Sequence, residues 1–303
     1  MTLEHVFDEM EISADPFALC ALQGRCTLGL GSQSSATLHY ILAGRGELLC
    51  RGRPAIALER GTLALVPATL AHSLRSFGGP GLPMPDCRPA ESALALHLHR
   101  AGDSEDEQGL LAICSRMTIG LRGARGLVDL LHEPLVTRIE KADAVLHQPL
   151  ERLLQELSSP SLGSRAMIRA LLLQCVIHLL RGRLLAGDGA LDWMQALSDE
   201  RLWSALKVML EAPGDPHSLD SLAAVAGMSR STFAERFSAA CGRGAMDLLR
   251  ELRMQRAASL LLRSDLPVKR IAQMVGFQSR SAFSRMFTQT IGLPPQAFRD
   301  EPR

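Results

Sequence analysis

Gly276–Phe287 reads GFQSRSAFSRMF, and Gly227–Phe237 reads GMSRSTFAERF. The two stretches are copies of one unit. Leu222-Ala223 stands against Ile271-Ala272 and Gly227 against Gly276, both 49 residues apart. Past the turn, Ser231, Phe233, Phe237 and Gly242 stand against Ser281, Phe283, Phe287 and Gly292, now 50 apart, so the second turn holds one extra residue. A period of this length marks a repeated supersecondary element. Each copy predicts a helix with an apolar-Ala start and a glycine at its C-terminal end, where left-handed backbone costs little. A small polar residue then opens a second helix that carries Phe at i and i+4.

That order of signals meets the needs of a helix-turn-helix. The glycine permits the tight turn, Ser229 or Ser279 caps the second helix, and the Phe pair anchors that helix while its other face stays free. At about 100° per residue, Ser231, Ala234 and Glu235 share an arc roughly opposite Phe233 and Phe237. Ser281, Ser284 and Arg285 share the same arc in the second copy. An exposed helical face of this kind is what enters a DNA major groove.

Charge supports the same reading once it is taken by segment. The 303-residue chain carries Lys+Arg 33 and Asp+Glu 32, a net charge of +1 that on average argues against a polyanion as partner. Ser218–Arg299, however, holds twelve basic and five acidic residues, a net +7, which leaves −6 for the remainder. Such a basic segment supplies non-specific, salt-dependent affinity for phosphates.

Composition excludes several other classes. A hydrophobic content of 47% is enough to bury a core, so the chain is expected to be globular, and its length suits about two domains. Aromatic content of 4% leaves little for stacking single-stranded nucleic acid. Met1–Glu11 lacks the basic and apolar regions of a secretory signal. The longest apolar stretch, Ala170–Leu180, is too short to span a bilayer and is interrupted by Gln174 and His178. A cytoplasmic protein with no membrane partner is expected. Seven cysteines without a C-x-x-C pair fit a reducing compartment.

Upstream of the repeat the pattern changes twice. From about Phe17 to Arg100 short apolar runs, Thr37–Ala43, Glu47–Cys50 and Thr62–Val66 among them, alternate with Gly, Pro and Arg-Gly turn signals, which predicts a small all-β unit. In Ser76–Ala90 seven of fifteen residues are Gly or Pro, so no element is expected to run through it. A strand resumes over Ser92–Arg100, followed by a solvated acidic turn at Asp103, Glu105, Asp106 and Glu107. After about Asp143 the period is helical: Leu150, Leu153, Leu154 and Leu157 fall on one face of Pro149–Leu157. Ser164–Leu185 is apolar almost all round, which suits either a core helix or one packed on a second subunit.

These residues carry two family resemblances. Gly276–Phe287, followed by GLPPQAFR over Gly292–Arg299, resembles the signature of the AraC/XylS transcriptional regulators, over about Leu202–Arg299. The resemblance implies seven helices, two helix-turn-helix units joined by a linker helix at Met246–Arg263, and recognition helices entering major-groove segments roughly 34 Å apart. It puts base reading on Ser231, Ala234 and Glu235 in the first copy, with Arg230 and Arg236 nearby for phosphates. In the second copy base reading falls on Arg280, Ser281, Ser284 and Arg285, of which Arg285 suits bidentate binding of guanine. Thr288 stands where many members have Lys, and Ala245 where the first copy often has Pro.

The β unit resembles the cupin-type sensor domain of one branch of that family, through TLHYILAGRGEL at Thr37–Leu48 and GTLALVPATLAH at Gly61–His72. Ser158–Leu185 resembles the helical pair of the same branch. A cupin metal site uses a His-x-His, a carboxylate and a later His. Here Ile41 replaces the second His of the first motif. If His97 and His99 point inward, His39, His72, His97 and His99 surround a divalent metal; if Leu94, Leu96 and Leu98 do, the metal site fails, and the leucine face is the natural core face. Some members of the branch respond to reactive electrophiles or oxidants through cysteines, which puts Cys20, Cys26 and Cys87 forward as a thiol switch. The third reading is a small organic effector in the barrel.

The expected fold is therefore α+β and multidomain. It comprises a cupin-like β-barrel sensor over 1–142, a helical connector with possible dimerisation helices over 143–197, and an AraC-type all-α double helix-turn-helix over 198–303. The expected function is a non-enzymatic, sequence-specific regulator, with activation the commoner mode in the family. Its expected partners are promoter DNA, RNA polymerase, a small-molecule or oxidant effector and a second copy of the chain. A cupin-type metal-dependent enzyme or metal sensor is the alternative. A methyl-accepting repair regulator would need an N-terminal cysteine cluster with zinc-ligand spacing, which the chain lacks.

Overall fold

The computed structural model describes residues 3–8, 10–77, 84–89, 109–121, 124–125, 131, 133–139, 144–187, 191 and 193–300. They form two compact units: Ile12–Thr118 with Glu133–Ala186, and Gly187–Pro302 with the short segments Met1–Glu11 and Ile119–His132. His97, His99, Leu94, Leu96, Leu98 and the acidic run after Gly102 lie outside the described residues.

The first unit is a curled antiparallel sheet. Its strands are β1 (Met10–Gln23), β2 (Thr27–Gly31), β3 (Ala36–Cys50), β4 (Ile56–Glu59), β5 (Thr62–Val66), β6 (His72–Ser76), β7 (Met84–Pro89), β8 (Leu110–Leu121) and β10 (Leu135–Arg138), while the two-residue β9 (Ala124–Arg125) belongs to the second unit. The main path runs β10-β5-β3-β8-β1-β7, while β6 pairs with β2 and β3, and β4 with β3. The organising strand is β3. Its first half pairs with β5 and β8, and its second half with β4 and β6.

Two expectations fail here for physical reasons. Gly44-Arg45-Gly46 reads as a turn, yet β3 runs straight through it as one 15-residue strand. The glycines mark a corner: a register shift falls between Ile41 and Ala43, Gly44 has φ +80, and a Cβ on it would lie 1.8 Å from the Gly109 carbonyl oxygen. A Cβ on Gly46 would lie 2.2 Å from that of Arg75. Glycine inside a strand marks such bends and close approaches. The Gly/Pro-rich segment also holds an element. Met84–Pro89 pairs with Ala18–Gln23 as β7, and its prolines are tolerated because among the described residues this strand ends the sheet path.

Strand alternation fills the interior with Leu22, Ile41, Leu48, Leu58, Val66 and Leu74, all buried in one cluster. The opposite face of β3 and β5 carries Leu38, Leu63 and Leu65, also buried. Helices α2 (Ala144–Ser158) and α3 (Ser164–Ala186) pack on each other, and α3 packs on β10, within this unit. Of α3, Leu171, Leu172, Cys175, Val176, Leu179 and Leu180 are buried, whereas Met167 and Leu185 are exposed.

The second unit is helical. Beyond α1 (Leu3–Asp8) and α4 (Trp193–Ser198) its described residues form seven helices: α5 (Glu200–Glu211), α6 (Leu219–Val225), α7 (Arg230–Cys241), α8 (Ala245–Arg263), α9 (Val268–Met274), α10 (Arg280–Ile291) and α11 (Pro295–Arg299). Helix α8, about 28 Å long from its nineteen residues, runs between the repeated pairs α6–α7 and α9–α10 and packs on members of both. Phe283, Phe287 and Phe298 are fully buried with Ile271 and Val275 in the second pair's core. Gly214 closes the unit across the repeat, since a Cβ there would lie 2.0 Å from the Met274 carbonyl oxygen. Arg253 of α8 adds two bonds, donating Nε–H to the Pro213 carbonyl and Nη2–H to that of Asp215, each at 2.7 Å.

Candidate nucleic-acid interface and sensor residues

The two second helices of the repeat share one frame. Each has twelve residues, a serine N-cap and a left-handed glycine C-cap. Ser229 Oγ accepts from the Thr232 amide at 3.2 Å, and Ser279 Oγ from the Ala282 amide at 3.3 Å. The closing glycines, Gly242 and Gly292, have φ +69 and +86. Phe233 and Phe237 sit 5.4 Å apart by ring centroid, Phe283 and Phe287 5.6 Å, and all four are fully buried. These anchors fix which face turns outward. Ser231 and Glu235 are exposed on α7, as are Arg280, Ser281 and Arg285 on α10; Ala234 and Ser284 are half-buried at the margin.

Electrostatics separate the copies. Arg230 pairs with Asp220 at 3.3 Å, and Arg236 with Asp199 Oδ2 at 2.7 Å. Asp199 is the N-cap of α5, its Oδ1 accepting from the Arg201 and Leu202 amides, so it ties α7 to the start of α5. Arg243 pairs with Glu251, and Arg250 with Asp247. Among the described residues Arg280 and Arg285 make no ion pair. Lys269 and Arg270, exposed in the first turn of α9, make none either. Sequence reasoning missed that pair, although two cations opening the helix before a recognition helix are a visible signal for phosphate contact. It also missed Asp199, whose partner lies 37 residues away.

In the sheet, His39 and His72 come together. His39 is 0% exposed and its Nε2 lies 3.0 Å from His72 Nε2. His39 Nδ1 lies 3.1 Å from Cys114 Sγ, its cross-strand neighbour, and His72 Nδ1 donates to the Leu70 carbonyl at 3.0 Å. Burial, reinforced by the charge of His72, holds His39 well below the usual imidazole range, and burial lowers His72 to about 4. Among the described residues the donor set is too small for a metal centre; His97 and His99, the other two candidate ligands, lie outside them. Cys114 occupies the far side of the His39 ring from His72, so the described residues offer one ion two imidazole nitrogens where a protein site takes three or four ligands. No group of three or more His, Cys, Asp or Glu suited to a metal occurs among the described residues.

Cys20 and Cys26 are buried. Cys87 stands directly opposite Cys20 in the β1–β7 backbone register. Burial pushes the thiols of Cys50 up to about 11 and those of Cys175 and Cys241 up to about 12, which removes them as nucleophiles at neutral pH. No described helix is long and apolar enough to cross a membrane.

Comparison with known proteins follows the same division. A helix-turn-helix domain family matches residues 222–301 and a cupin family matches residues 2–184. A protein of Streptomyces antibioticus named as an AraC-like transcription regulator is 34% identical over 149 residues, 49% of this chain and 49% of that one. The RCS-specific HTH-type transcriptional activator RclR of Escherichia coli K12 is 37% identical over 110 residues, 36% of this chain and 39% of its own length. The chain thus matches about half the length of the first relative and less of the second. The HTH-type transcriptional regulator AlkR of Acinetobacter baylyi is 24% identical over 307 residues, covering 99% of both chains.

Proposed function

The chain belongs to the AraC-type transcriptional regulators with an N-terminal cupin domain, and on that premise we propose that it binds double-stranded promoter DNA through α7 and α10 and acts as a regulator, not an enzyme. The observation that carries this reading is the shared frame of those helices, each anchored by a buried Phe pair and presenting a polar face outward. Ser231, Ala234, Glu235, Arg280, Ser281, Ser284 and Arg285 face base edges, and Lys269 and Arg270 face phosphates. Arg230 and Arg236 serve mainly to hold the first helix-turn-helix through Asp220 and Asp199. In vitro selection of DNA sites tests the assignment, with genome-wide mapping to locate the targets. A specific site is expected, and Arg285→Ala should lose about 1–3 kcal/mol of discrimination at one base. Unchanged discrimination in that variant would show the recognition face to be elsewhere.

The sheet unit is the sensor in this reading, with 143–197 as connector and RNA polymerase as the partner of the DNA-bound form. Between the effector classes, the Cys20–Cys87 register favours an oxidant over a small organic molecule. An oxidant would take two electrons while both thiols lose their protons and form one S–S bond. The RCS-specific activator named above lends the class further support. Peptide mass mapping of oxidant-treated protein decides it: a Cys20–Cys87 disulfide is expected, and intact thiols at Cys20, Cys26 and Cys87 would leave the organic effector. A homodimer is supported by the exposed Met167 and Leu185 of α3, and sedimentation of the wild-type chain against a Met167→Glu variant measures it.

A further inference from the structure

The repeat offset of 50 places Glu235 on Arg285. Both lie outward, each two residues from both phenylalanines of its own helix and therefore about 160° around the helix from each. Both are exposed, and among the described residues neither makes an ion pair. The flanking cations of the first helix do not compensate the carboxylate, because Arg230 is engaged by Asp220 and Arg236 by Asp199. An uncompensated negative charge therefore sits at the centre of a face that, on the function proposed above, lies in a groove walled by phosphates. Coulomb repulsion makes that placement unfavourable against any non-specific sequence.

Only an amino group on a base edge turns the carboxylate from a cost into a contact. In the major groove the amino donors are cytosine N4 and adenine N6, whereas guanine presents only the acceptors O6 and N7. Adenine sets its N7 acceptor beside N6, where it opposes the second carboxylate oxygen. Cytosine sets no acceptor there. We propose that Glu235 is a specificity-determining residue that accepts a hydrogen bond from cytosine N4, so that the two helix-turn-helix units read equivalent positions of their half-sites with opposite polarity, cytosine by Glu235 and guanine by Arg285. The carboxylate also rejects guanine at its own position, which keeps the two half-sites from being interchanged. The inference rests on the DNA-binding reading of the two helices.

Site selection from randomised duplex DNA, run in parallel with the full-length wild type, Glu235→Gln, Glu235→Arg and Arg285→Ala, tests it. The wild type should select cytosine at one position of one half-site, by about 5- to 150-fold over guanine. Glu235→Gln should move that single position to adenine and Glu235→Arg should move it to guanine, with the other half-site unchanged. Arg285→Ala should flatten one guanine in the other half-site. Two results overturn the proposal: the same base preference in all three Glu235 versions, or a uniform gain in affinity for every sequence, which would make the carboxylate merely repulsive. Failure of the wild type to select any sequence would instead overturn the DNA-binding reading itself.

Discussion

The Cys114 thiol, His39, His72 and the Leu70 carbonyl form a line whose proton positions follow from its end. A carbonyl only accepts, so His72 donates from Nδ1 and presents a bare Nε2. His39 then donates its Nε2–H to that lone pair and accepts from the Cys114 thiol at Nδ1. All four groups are satisfied while both rings are neutral, in keeping with the lowered values of both histidines. Unfolded, each returns to about 6.5, so the unfolded state binds more protons between that pH and the folded value. Stability of the sheet unit should therefore be full above about pH 6.5 and fall as the pH drops toward 4, by about 3 kcal/mol from His72 alone. Hydrogen exchange of the β3 and β5 amides measures this, and His72→Gln should flatten the profile; an equal slope in both proteins would refute the linkage. The sequence showed His39 and His72 as candidates, but the partner that decides their chemistry, Cys114, is 75 residues from His39 and emerges only from the β3–β8 register.

Elements were legible where a local rule sets them. Ser229, Gly242 and the spacing of Phe233 and Phe237 specify a capped, anchored helix within one dozen residues, and α7 and α10 follow their reading closely. Helix α3 likewise occupies Ser164–Ala186 as its apolar content indicates. Strand β3 was not legible, because Gly44-Arg45-Gly46 has turn composition and only the approach of Gly109, just before β8, and of Arg75 in β6 makes it a corner. Two glycines with nearly the same backbone separate these causes. Gly52 has φ +70 and open space where a methyl group would stand, so Gly52→Ala should cost about 1 kcal/mol from backbone alone. Gly44→Ala adds a clash with a carbonyl and should cost clearly more, read as a larger drop in the thermal midpoint of the sheet unit. Equal midpoints would mean that the corner relaxes freely.

At the scale of the whole molecule, the net charge of +1 conceals a division that the residue count locates and the ion pairs refine. Within the basic segment the first repeat spends its cations on neighbouring carboxylates, while those of the second remain available to phosphates. The salt dependence of DNA binding should follow that asymmetry. Lys269→Ala and Arg270→Ala should each lower the slope of log K against log salt by about one, and Arg230→Ala and Arg236→Ala by less. Fluorescence anisotropy over a salt series reads the slopes, and equal losses from both sets would place the phosphate contacts on both units. The matching frames of α7 and α10 have a consequence for descent as well. Caps, phenylalanines and closing glycines carry the fold, while positions 231, 234 and 235 and their counterparts carry almost none of it. On the DNA-binding reading proposed above, one substitution on either outer face would move half of the address while the other half still held its old site. A regulator built this way would reach new target genes through ancestors that never stopped binding DNA.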